Sequence, residues 1–171
     1  MKTYLKSPII ALLVTCVILF SACSEEDDST NNTTTNEAAN QLAQQVETSM
    51  ETGTWIITKF IDSGNDETNH FNSYTFSFNT DGSLVANNGT TTVSGSWSVA
   101  VDNSSGNSSD DDSSSSDDSN DVDFNIVFIS PADFEELSDD WDIISNTDSK
   151  IELIDISGGN GGTDYLTFQK S

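Results

Sequence analysis

Positive charge is the property that this sequence lacks most. Its 171 residues include no arginine and only five lysines, against 29 aspartates and glutamates, so its formal net charge at pH 7 is −24. A surface this acidic repels the phosphates of nucleic acids and the headgroups of anionic lipids. We therefore exclude nucleic acid as a binding partner.

Residues that commonly carry catalytic chemistry are also scarce. The chain has two cysteines and one histidine, and it contains no Gly-x-Ser-x-Gly motif. His70 stands in the polar stretch Asn69–Asn72, so we interpret it as a surface residue rather than a general base. Acidic residues are so frequent that paired carboxylates carry no signal for glycoside hydrolysis. We expect a protein that is not an enzyme, with no cofactor and no dedicated metal centre.

The first 22 residues have the features of a secretory signal. Two lysines precede an apolar run over residues 9–20, and small residues separate that run from Cys23. A membrane-spanning helix is the alternative, but a span needs roughly 20 apolar residues. Four acids, rather than a basic cluster, follow at residues 25–28. We therefore predict a cleaved signal peptide over residues 1–22.

The residues that end this signal resemble the lipobox of bacterial lipoproteins. The segment Leu19-Phe20-Ser21-Ala22-Cys23 has small residues at both positions before the cysteine, although Phe20 replaces the commoner leucine. The resemblance implies that the Cys23 sulfur takes a diacylglycerol and becomes a lipid-anchored N-terminus; two chains suffice for stable anchoring. An ordinary free thiol is the alternative. Cys16 would leave with the signal peptide, so the mature chain would have no disulfide.

The polar segment after Cys23 predicts where the anchored protein resides. The acids at 25–28 resemble the export tag of some Gram-negative surface lipoproteins, which implies the outer face of the outer membrane. A solvated tether is the alternative. Asp28-Ser29-Thr30 resembles a bacterial O-glycosylation site, which makes Ser29 a candidate for modification. Residues 23–36 together are predicted to be an acidic, polar and flexible tether.

A helix is predicted over residues 37–51. Thr34 and Glu37 have the spacing of a capping box, and Gly53 follows as a stop signal. The polar face of the helix lacks lysine and arginine, so we favour packing on the following domain over binding to a membrane surface. The apolar residues that recur at near-helical spacing are Ala39, Leu42, Ala43, Val46 and Met50.

From Trp55 onward the hydrophobic period changes to two, which is typical of half-buried strands. Asp81-Gly82 and Asn88-Gly89 supply tight turns, and residues 131–137 read as one or two helical turns. Eight strands are predicted, over residues 55–61, 74–78, 83–87, 91–101, 122–129, 141–145, 151–156 and 164–170. Short turns favour antiparallel neighbours, and closure removes exposed edges. The predicted fold class is therefore all-β: an eight-stranded antiparallel up-and-down barrel over residues 52–171, preceded by a short helix. A β-sandwich is the alternative.

One linker interrupts this pattern. Residues 102–121 contain Ser, Asp, Asn and Gly but no apolar residue, which predicts a disordered acidic loop. The aspartates at 110–112 and 117–118 could collect Ca²⁺ weakly through carboxylate oxygens. They lack the spaced Asp-x-Asp-x-Asp-Gly pattern with a closing Glu, so we favour a solvated loop.

Several motifs together resemble the lipocalin-like domain of bacterial lipoproteins. Gly53-Thr54-Trp55 matches the Gly-x-Trp that opens a lipocalin barrel, and the further matching segments are 76–84, 95–98, Trp141 and 165–168. The resemblance covers about residues 52–171 and implies an eight-stranded barrel of the kind that binds small hydrophobic ligands. That family places an arginine late in the chain, across the first tryptophan. This chain has no arginine, and Lys170 is a poor substitute.

The aromatic residues of the strands give two interpretations of the barrel interior. Large aromatics are usually buried, so we favour Trp55, Trp97 and Trp141 as core residues. The alternative is a ligand pocket, whose candidate lining residues are Phe76, Phe78, Trp97 and Phe128. An eight-stranded barrel has room for packed side chains or for one small ligand.

The expected function follows from these features. The chain is expected to be an outer-membrane, surface-exposed lipoprotein whose barrel binds or carries a small hydrophobic molecule. The alternative is a non-catalytic structural or interaction lipoprotein. Its barrel would be filled, and its loops would contact glycans, cations or other envelope proteins.

Overall fold

The computed structural model describes residues 31–101, 122–156 and 162–171. The predicted signal peptide, the candidate modification sites Cys23 and Ser29, and the acidic loop over 102–121 lie outside the described residues. The described helices are α1 (Asn31–Met50) and α2 (Ala132–Glu135), with a 3₁₀ turn at Thr68–Phe71. The strands are β1 (Trp55–Asp62), β2 (Asn65–Asp66), β3 (Thr75–Phe78), β4 (Ser83–Asn87), β5 (Thr92–Val101), β6 (Val122–Val127), β7 (Asp139–Thr147), β8 (Lys150–Ile156) and β9 (Thr163–Lys170).

Eight of these strands form a closed antiparallel barrel. Strands β1 and β3 to β9 are hydrogen-bonded in chain order, and β9 pairs back with β1. The two-residue strand β2 pairs antiparallel with the last two residues of β1 and is not part of the closed barrel. The predicted fold class is confirmed: an all-β, eight-stranded antiparallel barrel preceded by one short helix. This architecture is consistent with a lipocalin-like fold.

Burial alternates along the strands as the period of two predicts. In β5, Val93 and Trp97 are buried while Ser94, Ser96 and Ser98 are exposed. In β6, Val122, Phe124 and Ile126 are buried. The three tryptophans are core residues as expected, because none is more than 6% exposed.

The bounds of several elements differ from those predicted. Helix α1 begins at Asn31 rather than at residue 37, so the last six residues of the predicted tether are helical. Asn and Thr have poor helix propensity, but extending an existing helix costs far less than nucleating one. Strand β7 begins at Asp139, two residues early, because backbone pairing with β6 continues through Asp139 and Asp140.

The barrel wall is joined unequally on the two sides of β1. Its pairing with β9 extends from Trp55 to Ile61, with a bulge between Ile57 and Lys59. Its pairing with β3 is limited to Trp55 and Phe76. The 3₁₀ turn packs beside this short junction, because the ring of Phe71 lies 5.7 Å from that of Phe60. The segment between β2 and β3 thereby supports the side of the barrel that has the fewest backbone hydrogen bonds.

One glycine is required by the close approach of a neighbouring chain segment. A Cβ on Gly95 would lie 2.5 Å from the Val127 carbonyl oxygen and 2.6 Å from a ring carbon of Phe128. Gly95 therefore lets Phe128 pack across β5 into the barrel. The backbone oxygen cannot move aside as a flexible side chain would.

We predict that Gly95→Ala destabilises the fold by about 1–3 kcal/mol, the usual cost of overpacking a filled core. The measurement is the midpoint of urea unfolding, followed by circular dichroism. Ser94→Ala is the matched control, because Ser94 is exposed on the same strand. Its effect should stay within about 0.5 kcal/mol, and an equal effect of the two substitutions would contradict the close-approach explanation.

Candidate functional site

The four candidate pocket residues are all buried, and they lie in two groups. Phe78 on β3 packs edge-to-face on Trp97 of β5, with ring centroids 5.3 Å apart. Phe76 and Phe128 instead lie near Phe134 of α2, at 6.2 and 5.1 Å. The structure therefore distributes the predicted lining residues over two ring clusters.

Two further phenylalanines extend these clusters: Phe168 joins one cluster to the other, and Phe124 packs on the Phe78–Trp97 pair. The ring of Phe168 on β9 lies 5.3 Å from both Phe76 and Phe78. The ring of Phe124 on β6 lies 5.8 Å from both Phe78 and Trp97. Three of these four pairs are edge-to-face, a geometry that is favourable beyond the buried area of the rings. Sequence reasoning did not single out Phe124 and Phe168 as lining residues, although their strand parity places them on the inner face.

Helix α1 covers the end of the barrel at which β1 begins, called here the first end. Ala39 and Ala43 pack with Val122 and with inward residues of β5 and β7. Val46 and Met50 are completely buried and belong to the main core. The predicted packing of this helix on the domain is confirmed.

The 3₁₀ turn and α2 cover the opposite, second end. The Phe134 ring of α2 packs on Phe71 at 5.3 Å, on Tyr74 at 5.1 Å and on Phe128 at 5.1 Å. Leu137, just after α2, is also completely buried. Aromatic side chains from two connections therefore fill the space between the strand ends.

Each tryptophan attaches one peripheral segment to the barrel by its indole N–H. Trp55 Nε1 donates to the Met50 oxygen at the end of α1 (2.9 Å), and Trp141 Nε1 donates to the Leu137 oxygen after α2 (3.1 Å). Trp97 Nε1 donates to the Asn79 oxygen in the β3–β4 turn at 3.1 Å. Buried indoles normally need such a partner. The three bonds leave these rings no unsatisfied donor to offer a ligand.

The three described lysines lie against rings or a carboxylate at the margins of the barrel. Lys59 Nζ lies 4.1 Å from the centroid of the Tyr165 ring, and Lys150 Nζ lies 2.9 Å from Glu152 Oε1. Lys170 Nζ lies 5.1 Å from the centroid of the Trp55 ring. Lys170 thus lies across the first tryptophan, at the place where the lipocalin-like family has an arginine. It does so because β1 and β9 pair Trp55 with Lys170 directly.

An open polar groove lies outside the barrel, between α1 and the turn joining β7 to β8. It encloses about 730 Å³, within the range of roughly 300–1,000 Å³ usual for ligand sites. At its base Ser49 Oγ donates to the Thr147 oxygen at 3.2 Å, and Lys170 borders it. The helix wall consists of Gln41, Gln44, Gln45, Thr48 and Thr52, and the turn wall of Asn146, Thr147 and Asp148. We call this surface the glutamine groove.

Sequence reasoning did not find the glutamine groove. A signal was present, because three of the four glutamines of the chain stand within five residues of one another. Nothing local indicated that the β7–β8 turn, about 100 residues later, would face them. The groove exists only when the barrel has closed.

A partly buried carboxyl, that of Asp139, lies near the second end. Asp139 is on the same side of β7 as Trp141, and its Oδ1 accepts a hydrogen bond from the Asp140 N–H at 2.9 Å. Burial, followed by the Asp140 side chain and the charge of Asp155, raises the pKa of Asp139 to about 6. Burial and nearby acids also raise the pKa of Glu136. At the second end of the barrel, burial and repulsion between neighbouring acids therefore disfavour the charged forms of Asp139 and Glu136.

The remaining candidates for chemistry have ordinary surroundings. His70 Nε2 lies 3.3 Å from Glu67 Oε2, and both side chains are partly exposed. In the three described ranges, no group of three or more His, Cys, Asp or Glu side chains could hold a metal ion. No helix within those ranges is long and apolar enough to cross a membrane.

No family model matches the chain, and no curated protein matches it significantly. Function must therefore be argued from the geometry of these residues.

Asp139→Asn should remove a pH dependence of stability. Because the folded pKa is about 6 against an ordinary 3.8, the folded state holds the proton more tightly, so the stability of the natural chain falls as pH rises between these values. We expect the variant to be more stable above pH 6, by about 1 kcal/mol after allowing for solvent screening.

The measurement for this prediction is urea unfolding at a series of pH values. Asp148→Asn is the matched control, because it removes one charge from an exposed position at the other end of β7. If the two variants shift the pH profile equally, the effect comes from net charge and not from the site of Asp139.

Proposed function

We propose that this chain is an exported lipoprotein whose filled barrel is a non-catalytic scaffold. It is anchored through lipid on Cys23 in the outer membrane and faces the exterior. Its outer surface makes the contacts with envelope or extracellular molecules. The observation that carries this proposal is the chain of ring contacts through the barrel interior, with both ends covered.

A carrier of a small apolar molecule is the alternative, and the interior contacts weigh against it. A ligand between β3 and β5 would have to separate Phe78 from Trp97, or displace Phe124 and Phe168 that pack on them. It would also have to pass α1 or the cluster around Phe134. Protein interiors hold few voids larger than a water molecule, so entry would require both a wall and the core to move.

The charges of the described interior also disfavour one common class of apolar ligand. The buried polar residues in the described ranges are Ser49 and Thr167. A fatty-acid carboxylate inside the barrel would therefore lack a cation, and burying an unpaired charge is costly. A carrier of this design would suit only a neutral molecule.

The anchoring part of the proposal rests on the lipobox resemblance and on the position of the domain. Seven residues separate Cys23 from Asn31, the first residue of α1. A chain of that length spans at most about 25 Å, which would hold α1 and the first end of the barrel close to the bilayer. The barrel and the contact of Lys170 with Trp55 support the lipocalin-like part of the resemblance.

A filled barrel should not bind apolar probes. We expect the mature chain, produced from Ser24 without its leader, to give no emission gain with a fluorescent fatty acid or a retinoid at high micromolar concentration. Phe124→Ala is the positive control with a smaller probe, benzene, because it removes a completely buried ring between Phe78 and Trp97 and leaves a space of about the size of that ring. Such a cavity costs about 3–5 kcal/mol of stability and can accept small apolar molecules.

Saturable binding of either probe by the natural chain, with one site per molecule, would favour the carrier instead. Near-ultraviolet circular dichroism of the variant confirms that its core remains ordered. Probe emission that rises equally in the two proteins would also contradict the filled interior.

Lipid attachment can be tested separately with the two cysteines of the chain. Cys23→Ser should abolish labelling by radioactive palmitate and release the protein from the membrane fraction, because the acyl chains supply the anchoring energy. Cys16→Ser is the matched control and should keep both label and location. Palmitate label that persists on Cys23→Ser would refute the lipobox assignment, and resistance to protease added to intact cells would refute the outward orientation.

A further inference from the structure

We infer that the glutamine groove binds a neutral carbohydrate. The inference deepens the proposed function and rests on it, since it names one contact that the outer surface of the scaffold makes. It concerns a surface outside the barrel, so it does not depend on whether the interior is filled.

The groove is nearly free of the charge that dominates the rest of the chain. Its lining contains one acid, Asp148, and one base, Lys170. The sequence uses 29 aspartates and glutamates but only four glutamines, and three of those four line this groove. The groove therefore has neutral amide side chains, whereas the rest of the chain has mainly acidic ones.

The helix wall presents hydrogen-bonding groups that have no partner in the described chain. Gln41, Gln44 and Gln45 are exposed, and their amides make no hydrogen bond with another described residue. Thr48 Oγ1 donates to the Gln44 oxygen at 2.8 Å, and Thr52 Oγ1 donates to the Thr48 oxygen at 3.0 Å. These hydroxyls therefore keep lone pairs that can accept from a ligand. The stripe from Gln41 to Thr48 is about 10 Å long at the helical rise.

The turn wall contributes a polar atom that is not satisfied. Asn146 lines the groove, and its Oδ1 is buried without a hydrogen-bond donor. A buried acceptor in this state costs about 1–3 kcal/mol, and such groups usually indicate a missing water or ligand. Rotation of the Asn146 amide toward the groove would let a ligand hydroxyl donate to it.

The side chains that line the groove favour one chemical class of ligand over the others. It has no aromatic or aliphatic side chain for an apolar molecule, and the described cation at its edge, Lys170, already lies over Trp55. A single carboxylate is too few for a divalent cation. Amides and hydroxyls, which both donate and accept, match the hydroxyl groups of a neutral sugar. Without an aromatic ring for stacking, we expect a Kd of about 1 mM, equivalent to about −4 kcal/mol.

The test uses the full chain in phosphatidylcholine nanodiscs and a panel of neutral trisaccharides: maltotriose, cellotriose, mannotriose and tri-N-acetylchitotriose. Binding is followed by chemical-shift changes of the side-chain amides of glutamine. We expect at least one saccharide to shift the signals of Gln41, Gln44 and Gln45 saturably. Substitution of all three residues by alanine should weaken binding about tenfold or more, which corresponds to about 1.4 kcal/mol.

The fourth glutamine supplies the matched control. Gln169 is exposed on the outside of β9 and does not line the groove, so Gln169→Ala should leave affinity unchanged. Alanine favours helix, and the three substituted side chains are exposed, so the triple variant should keep the fold; circular dichroism checks this. If it unfolds, Thr48→Val, which replaces an exposed hydroxyl with a methyl group of similar shape, should weaken binding alone.

Three results would overturn the inference. They are no shift with any saccharide up to about ten times the expected Kd, binding that survives loss of the glutamines, and binding of polar peptides in place of saccharides. None of them bears on the apolar-probe experiment, so failure here is distinguishable from failure of the filled-barrel proposal.

Discussion

Ring-to-ring packing inside the barrel is the interaction on which the other features depend. Eight strands enclose a space that must be filled by side chains or by one small ligand. Here Phe168 connects the Phe78–Trp97 pair, through Phe76, to the cluster around Phe134. Helix α1 covers one end of this core, and the 3₁₀ turn and α2 cover the other. The indole bonds from Trp55 and Trp141 then attach the ends of both helical segments to the wall.

The shortage of positive charge determines the character of the outer surface, while the aromatic rings determine the packing of the interior. Lys59 and Lys170 lie over aromatic rings, and Lys150 lies against Glu152. Acids far outnumber lysines along the sequence, and this excess of negative charge favours solubility and repels other anions. The pKa of Asp139 is raised chiefly because its carboxyl is partly buried, and neighbouring acids add to the effect.

In the function proposed above, these two features assign the interior to a scaffold and the outer surface to recognition. The interior is packed ring against ring, and the indole N–H groups of its three tryptophans already donate to backbone oxygens. The surface that differs in character from its surroundings is the glutamine groove, where a neutral helix face meets the β7–β8 turn. A filled barrel would serve such a groove by holding its two walls, which are about 100 residues apart in sequence, at a constant separation.

The sequence by itself determined the elements whose signals are local. Alternating residues such as Val93, Trp97 and Phe124 predicted strands, Asp81-Gly82 predicted a turn, and Val46 and Met50 predicted a helix face. These patterns depend only on residues within a few positions, so they can be read without knowing the fold. The tertiary structure decided the contacts that depend on how the strands pair. Closure of β9 on β1 set Lys170 over Trp55, pairing with β6 extended β7 back to Asp139, and barrel closure brought Asn146 opposite Gln45. No local pattern contains such contacts, because each joins residues whose neighbours in sequence are unrelated.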